Sequence, residues 1–126
     1  MIYGIGTDIV EVSRIEDSLA RFGDTFARRI LNAREFEEFL QSATQARFLS
    51  KRFAAKEAFA KALGTGIRGA ASFANIGVAH DELGKPVFDL APVLLALLTD
   101  KKIACQHLSV SDEKNLAAAF VVLEKA

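Results

Sequence analysis

The sequence predicts a single α+β domain over residues 1–126, with one long central helix packed against a mainly antiparallel sheet. Three observations lead there. Apart from one strand at the start, helix-forming segments come mostly in the first half and strand-forming segments mostly in the second. The stretch from Thr44 to Leu63 contains no Gly or Pro, is rich in Ala, and runs into Gly64, which marks a long helix with a glycine stop. No repeat, linker or low-complexity tract divides the chain, and 126 residues suffice to bury roughly two-thirds of the unfolded surface around one core.

The elements follow in order. Residues 2–12 read as a strand in which Tyr3, Ile5, Thr7 and Ile9 share one face while Gly4, Gly6 and Asp8 share the other. Two glycines on the Asp8 face leave room for a close approach to the backbone, or else mark a bulge. Ser13-Arg14-Ile15-Glu16 has the form of a capping box, so a helix should start there and run to about Phe22, stopped by Gly23. A second short helix spans Arg34 to Gln41, with Asn32 and Glu35 as its cap pair. After the long helix, residues 65–72 form a loop, and Phe73 to Ala79 and Pro86 to Leu90 form a hairpin. Pro92 starts an apolar helix over residues 91–102, and Ala104 to Ser111 and Leu116 to Glu124 close the chain as two strands around a turn.

Composition excludes several functions. Lys plus Arg number 16 and Asp plus Glu number 16, so no global charge draws the protein to nucleic acid or to an anionic membrane. One cysteine, Cys105, forbids an intrachain disulfide, and no Cys/His cluster has zinc spacing. There is no basic leader at the N-terminus and no apolar run near the ~18 residues that a bilayer requires. The expectation is a cytoplasmic protein without a membrane span.

Chemistry concentrates on the long helix. Counting about 100° per residue from Arg47, its apolar residues Phe48, Leu49, Phe53, Phe59 and Leu63 cover a sector of roughly 100° to 240°. Arg52 and Lys56 project at about 140° and 180°, inside that sector. Either their stems lie along apolar surface with the charged heads in water, or they form an anion site. Between Arg47 and Lys61 stand five cations and one carboxylate, Glu57, which reads as a metal ligand or as an ion-pair partner of Lys61. Magnesium is commonly held by one or two carboxylates together with substrate phosphates, and Asp8 and Glu57 would supply that pair. In the last strands Cys105, His107, Ser109 and Ser111 alternate with Gln106, Leu108 and Val110, so Leu108 and Val110 face the core and His107 either meets a phosphate or is structural. Gly64-Thr65-Gly66 lacks the rest of a Walker loop and follows a helix, where a cap and turn are expected. Arg14 and Arg21 lie on nearly one helix face, which is either a solvated basic stripe or a dock for an acidic helix.

Gly4-Ile5-Gly6-Thr7-Asp8-Ile9-Val10 at the start, Arg52-Phe53-Ala54-Ala55-Lys56-Glu57-Ala58-Phe59-Ala60-Lys61-Ala62-Leu63-Gly64-Thr65-Gly66-Ile67 in the middle and His107-Leu108-Ser109 near the end resemble the holo-[acyl-carrier-protein] synthases, the short trimeric type of phosphopantetheinyl transferase. The resemblance spans essentially the whole chain, and the middle motif is the most specific. It implies transfer of the 4'-phosphopantetheine arm from coenzyme A to a serine of apo-acyl carrier protein, with release of adenosine 3',5'-bisphosphate. Asp8 and Glu57 match the magnesium-ligand positions. Arg52, Lys56, Lys61, Gly64, Thr65, Gly66, His107 and Ser109 match coenzyme A contacts, and Arg14 and Arg21 the contacts to an acidic carrier helix. Homotrimers with sites between subunits are implied, as is a role in fatty acid biosynthesis.

For mechanism, a water on the metal or Glu57 itself would take the carrier serine proton while Lys61 stabilises the leaving phosphate. The chain departs from some relatives at Asp112, where they carry a histidine, and at Ala43-Thr44, where they carry a basic pair, so no role transfers there. Charge makes Arg47 or Lys51 a candidate for the ribose phosphate instead. Two other functions remain to be distinguished: a non-catalytic coenzyme A-binding scaffold, which would need no paired carboxylates, and a magnesium-dependent phosphohydrolase, which would need no carrier.

Overall fold

Strand β1 (Ile2–Glu11) turns Gly4, Gly6 and Asp8 to one face and Ile5, Thr7 and Ile9 to the other in the computed structural model, which describes Met1–Ala126. It passes directly into α1 (Val12–Phe22). The capping box expected at Ser13 and Glu16 does not form, because the helix begins one residue earlier and Glu11 occupies the cap without a side-chain bond. The N–H of Val12 donates to Asn115 O at 2.9 Å, so a neighbouring turn satisfies a donor that a cap side chain otherwise would. Gly23, at φ 64, ends α1, and a seven-residue helix that the sequence reading omits, α2 (Asp24–Ile30), starts at once. Helix α3 (Ala33–Gln41) has the predicted reciprocal cap: the Glu35 N–H donates to Asn32 Oδ1 at 2.8 Å and the Asn32 N–H to Glu35 Oε1 at 2.9 Å.

Helix α4 (Gln45–Leu63) is the longest element and ends at Gly64 in the left-handed conformation at φ 91. The hairpin of β2 (Ile76–His80) and β3 (Pro86–Leu90) starts three residues later than expected, since the N–H groups of Asn75 and Ile76 both turn back to Ser72 O. Helix α5 (Pro92–Asp100) stops short of residue 102, where Lys102 adopts φ 63. Strands β4 (Ile103–Asp112) and β5 (Leu116–Lys125) complete a three-stranded antiparallel sheet in the order β1-β5-β4, with Asp8 opposite Ala119 and Ala119 opposite Val110.

The core lies between this sheet and α4. Ala117, Ala119, Val121 and Leu123 of β5 face inward and are buried, as are Leu49, Ala54, Ala58, Phe59 and Ala62 of α4. Phe59 meets Phe88 of β3 edge to face, with ring centres 4.9 Å apart. Where α4 crosses β1 there is no side chain on the strand: a Cβ at Gly4 would sit 2.0 Å from Ala62 O, and one at Gly6 would sit 2.0 Å from Ala58 O. The close approach that the two glycines permit is made by the chain's own helix. No helix is long and apolar enough to cross a membrane.

Candidate active site

The crossing of α4 over the glycine face of β1 carries the next residue on that face, Asp8, to the flank of the helix that bears Glu57 and Lys61. Lys61 Nζ donates to Asp8 Oδ1 at 3.1 Å and to Thr7 O at 3.0 Å. Lys61 therefore pairs with Asp8, across the two elements, rather than with Glu57 four residues away on its own helix. Its ammonium has three protons and two acceptors, and the side chain is half exposed. Asp8 Oδ2 is buried with no hydrogen-bond partner. Burial first, and then the charge of Asp8, hold the Glu57 carboxyl above the usual carboxylate range against the opposing pull of Lys61.

Two carboxylates, one with an orphaned oxygen and the other disfavoured in its charged form by burial and by the first, make a site short of positive charge. That donor set fits a hard divalent cation, which accepts two protein carboxylates and fills its other positions with water and substrate oxygens. No group of three or more His, Cys, Asp or Glu is gathered here or elsewhere, so the protein would offer a metal two carboxylates at most at this point.

Beside the pair opens a cleft of about 360 Å³ lined by Asp8, Arg14, Ile15, Ser18, Phe26 and Phe53, among others. Arg14 thus lines the same cleft as Asp8, and Arg21 lies further along α1, exposed, with its guanidinium 5.4 Å from the Phe22 ring. Phe53 is braced by Phe73, ring centres 5.6 Å apart, a pairing that the sequence reading did not contain. Gly64, Thr65 and Gly66 cap α4 just beyond Lys61: the N–H groups of Gly64 and Gly66 both donate to Ala60 O, and the Thr65 hydroxyl donates to Gly66 O at 2.8 Å.

Other candidate residues lie elsewhere. Arg52 lines a second cavity, of about 290 Å³, on another flank of α4, with Phe48, Lys51, His80, Pro86 and Asp112. Burial, and then the charge of Arg52, hold His80 below the ordinary histidine range. Arg47 is committed to the β4–β5 turn through Asp112 Oδ2 at 2.9 Å and the carbonyls of Glu113 and Lys114, which leaves Lys51 as the available cation of that pair. His107 and Ser109 stand on the outer face of the sheet, opposite to Asp8; His107 Nε2 lies 2.6 Å from Glu124 Oε1. Leu108 and Val110 face the core as predicted.

Lys56 corrects the expectation of a coenzyme A contact. It is fully buried, and its three ammonium protons go to Ile30 O at 2.6 Å, Glu35 Oε1 at 2.6 Å and Phe73 O at 2.8 Å, so none remains for a phosphate. Glu35, its partner, is fully buried too, and so is an ion-pair partner as well as the cap residue that the sequence predicts. The available signal was its spacing, since Glu35 lies four residues before Phe39 on the inward face of α3.

A carboxylate pair beside a lysine, with cations on adjoining surfaces, defines a protein that handles phosphorylated ligands on an α+β scaffold. The chain belongs to the 4'-phosphopantetheinyl transferase superfamily, whose model matches residues 4–121. The holo-[acyl-carrier-protein] synthase of Nitrosospira multiformis is 58% identical over 125 residues, covering 99% of this chain and 100% of its own. The crystal structure of the Neisseria meningitidis holo-[acyl-carrier-protein] synthase superposes with a TM-score of 0.97 at 56% identity, covering 99% of this chain and 100% of that one. The Bacillus anthracis synthase in complex with CoA (3',5'-ADP) gives 0.83 at 40% identity over 100% and 99% of the two chains.

Proposed function

We propose that the protein transfers the 4'-phosphopantetheine group from coenzyme A to a serine of apo-acyl carrier protein, yielding holo-acyl carrier protein and adenosine 3',5'-bisphosphate, in a magnesium-dependent reaction. The observation that carries the magnesium assignment is the unpartnered, buried Asp8 Oδ2 next to a Glu57 whose charge Asp8 opposes. Asp8 and Glu57 would hold the ion. When bound, magnesium neutralises charge on the diphosphate as the bond to the departing phosphate breaks.

The chain's own groups account for the rest. The serine oxygen forms the new bond to phosphorus, the bond to the adenosine bisphosphate breaks, and the departing oxygen keeps the electron pair. Glu57 takes the serine proton. Lys61 directs its remaining proton at the leaving phosphate while Asp8 and Thr7 hold its ammonium in place. Arg52, with Lys51 beside it, meets coenzyme A phosphates in the second cavity, and the segment Gly64-Thr65-Gly66 borders the diphosphate beyond Lys61. Arg14 and Arg21 receive an acidic helix of the carrier, so that its serine is presented at the Asp8 cleft.

His107 and Ser109 join this site only if another copy supplies them, because they project from the opposite face of the sheet to Asp8. Ile5, Ile9, Leu116 and Phe120 are exposed on that outer face, an apolar surface that supports a homotrimer with sites between subunits. Residues 1–126 act as one transferase domain, in the cytoplasm, in support of fatty acid biosynthesis.

The test is the mass of purified apo-carrier after incubation with coenzyme A and magnesium. The carrier should gain the phosphopantetheine mass with the native protein and not with Asp8→Ala or Glu57→Ala, both of which should keep the native circular dichroism. Full activity in either variant would refute the ligand assignment, and hydrolysis of coenzyme A without a carrier would replace the transferase with a phosphohydrolase.

A further inference from the structure

The buried ions Glu35, Lys56 and Arg52 have no part in the chemistry above except through Arg52. Glu35 accepts four donors: Lys56 Nζ at 2.6 Å and the Asn32 N–H at 2.9 Å on Oε1, the Val78 N–H at 2.9 Å and Arg52 Nη1 at 3.5 Å on Oε2. The two cations are held very differently. The contact to Lys56 has the short length of a charge-assisted bond, whereas Arg52 sits at the outer limit of one. Its other bonds are also long, 3.2 Å to Glu38 Oε2 and 3.3 Å to Val78 O, and its guanidinium rests 4.4 Å from the Phe48 ring at the wall of the second cavity.

The charges therefore divide. Lys56 and Glu35 cancel one another in the interior, and Glu38 is partly exposed and shared with Arg34, so that its pull on Arg52 is screened and divided. The charge of Arg52 is left to face the cavity together with Lys51. Without Lys56 the buried Glu35 carboxylate would have Arg52 as its one cationic donor, and an unpaired buried charge is costly enough to draw that guanidinium inward.

We propose that Lys56 is a positioning residue whose ammonium neutralises Glu35 and so keeps Arg52 free for a coenzyme A phosphate in the second cavity. The proposal rests on Arg52 as a coenzyme A contact. It differs from a direct role because the Lys56 protons already have three acceptors inside the protein.

Carrier modification kinetics, with calorimetric titration of coenzyme A, test it on Lys56→Met, Glu35→Gln, the double variant and Arg52→Gln. Lys56→Met should raise KM and Kd for coenzyme A about tenfold, with kcat within about twofold of native, a coupling ordinary for contacting residues. Adding Glu35→Gln should bring both constants back to within about threefold of native, since Arg52 is released. A double variant as weak as Lys56→Met would overturn the proposal, because a lost direct contact cannot be restored by neutralising Glu35; so would a loss confined to kcat. If Lys56→Met does not fold, the double variant decides: folded with near-native affinity it supports the proposal, and unfolded or weakened it overturns it. Arg52→Gln isolates the premise, for unchanged affinity there would remove Arg52 from the coenzyme A site whatever the Lys56 variants do.

Discussion

Asp8 and Glu57 are placed at a cost to the fold. Asp8 keeps one oxygen buried and unbonded, and Glu57 sits in a setting that opposes its charged form. A carboxyl whose folded pKa is raised above its unfolded value favours folding most when protonated. That advantage is complete below the ordinary carboxylate range and is lost as the pH rises through the raised value. At neutral pH the metal-free protein should therefore unfold at a lower temperature than Glu57→Gln, and the gap should shrink as the pH falls and close below about pH 3.5, where Glu57 is protonated in the folded and unfolded states. Magnesium should narrow the gap at neutral pH by stabilising only the native protein, as expected for a ligand bound by the folded state. Thermal unfolding at both pH values, with and without magnesium, reads all three effects; coincident curves at neutral pH would mean that Glu57 is not strained.

Between elements the decisive contact is α4 on β1. Both backbones meet without an intervening side chain at Gly4 and Gly6, and the same contact sets the reach from Lys61 to Asp8. Gly6→Ala would place a Cβ 2.0 Å from Ala58 O and 2.7 Å from Ala62 N, both backbone atoms that move only if a whole element moves. The expected loss of stability is about 3 kcal/mol or more, the upper end for overpacking, together with loss of carrier modification as Asp8 and Glu57 separate. Gly64→Ala is the control: nothing lies within 4 Å of its Cβ, so it meets only the left-handed backbone at φ 91, a penalty of roughly 1–2 kcal/mol. Urea midpoints at unchanged slope separate the two.

The molecule as a whole has two unlike sides to its sheet. One is closed by α4; the other exposes Ile9 at 68%, Ile5 at 59%, Phe120 at 49% and Leu116 at 42%, in the company of His107 and Ser109. If this face joins three chains, Phe120→Lys should leave each fold intact, as substitutions of exposed side chains usually change stability by about 0.5 kcal/mol or less. Sedimentation should then show monomers, and carrier modification should fall more than about tenfold because no neighbour brings His107 to the Asp8 site. A Phe120→Lys protein that stays trimeric and active would move the interface elsewhere.

Much of this was legible in the chain. The glycine stop of α4, the Asn32 and Glu35 cap and the strand alternation that puts Gly4, Gly6 and Asp8 on one face are local rules, expressed within a few residues of backbone. The short helix α2 escaped because seven residues directly behind a glycine carry too little periodicity to register. By itself the sequence determined the element order, the family motifs and which side chains carry charge. Only the tertiary structure decided which of those charges face solvent. Lys56 and Lys61 sit five residues apart on one helix, yet Glu35 and two carbonyls from distant segments enclose the first, while the second reaches Asp8 with a proton to spare. The reason is that desolvation and pairing depend on what packs across from a side chain, and that partner comes from far along the chain.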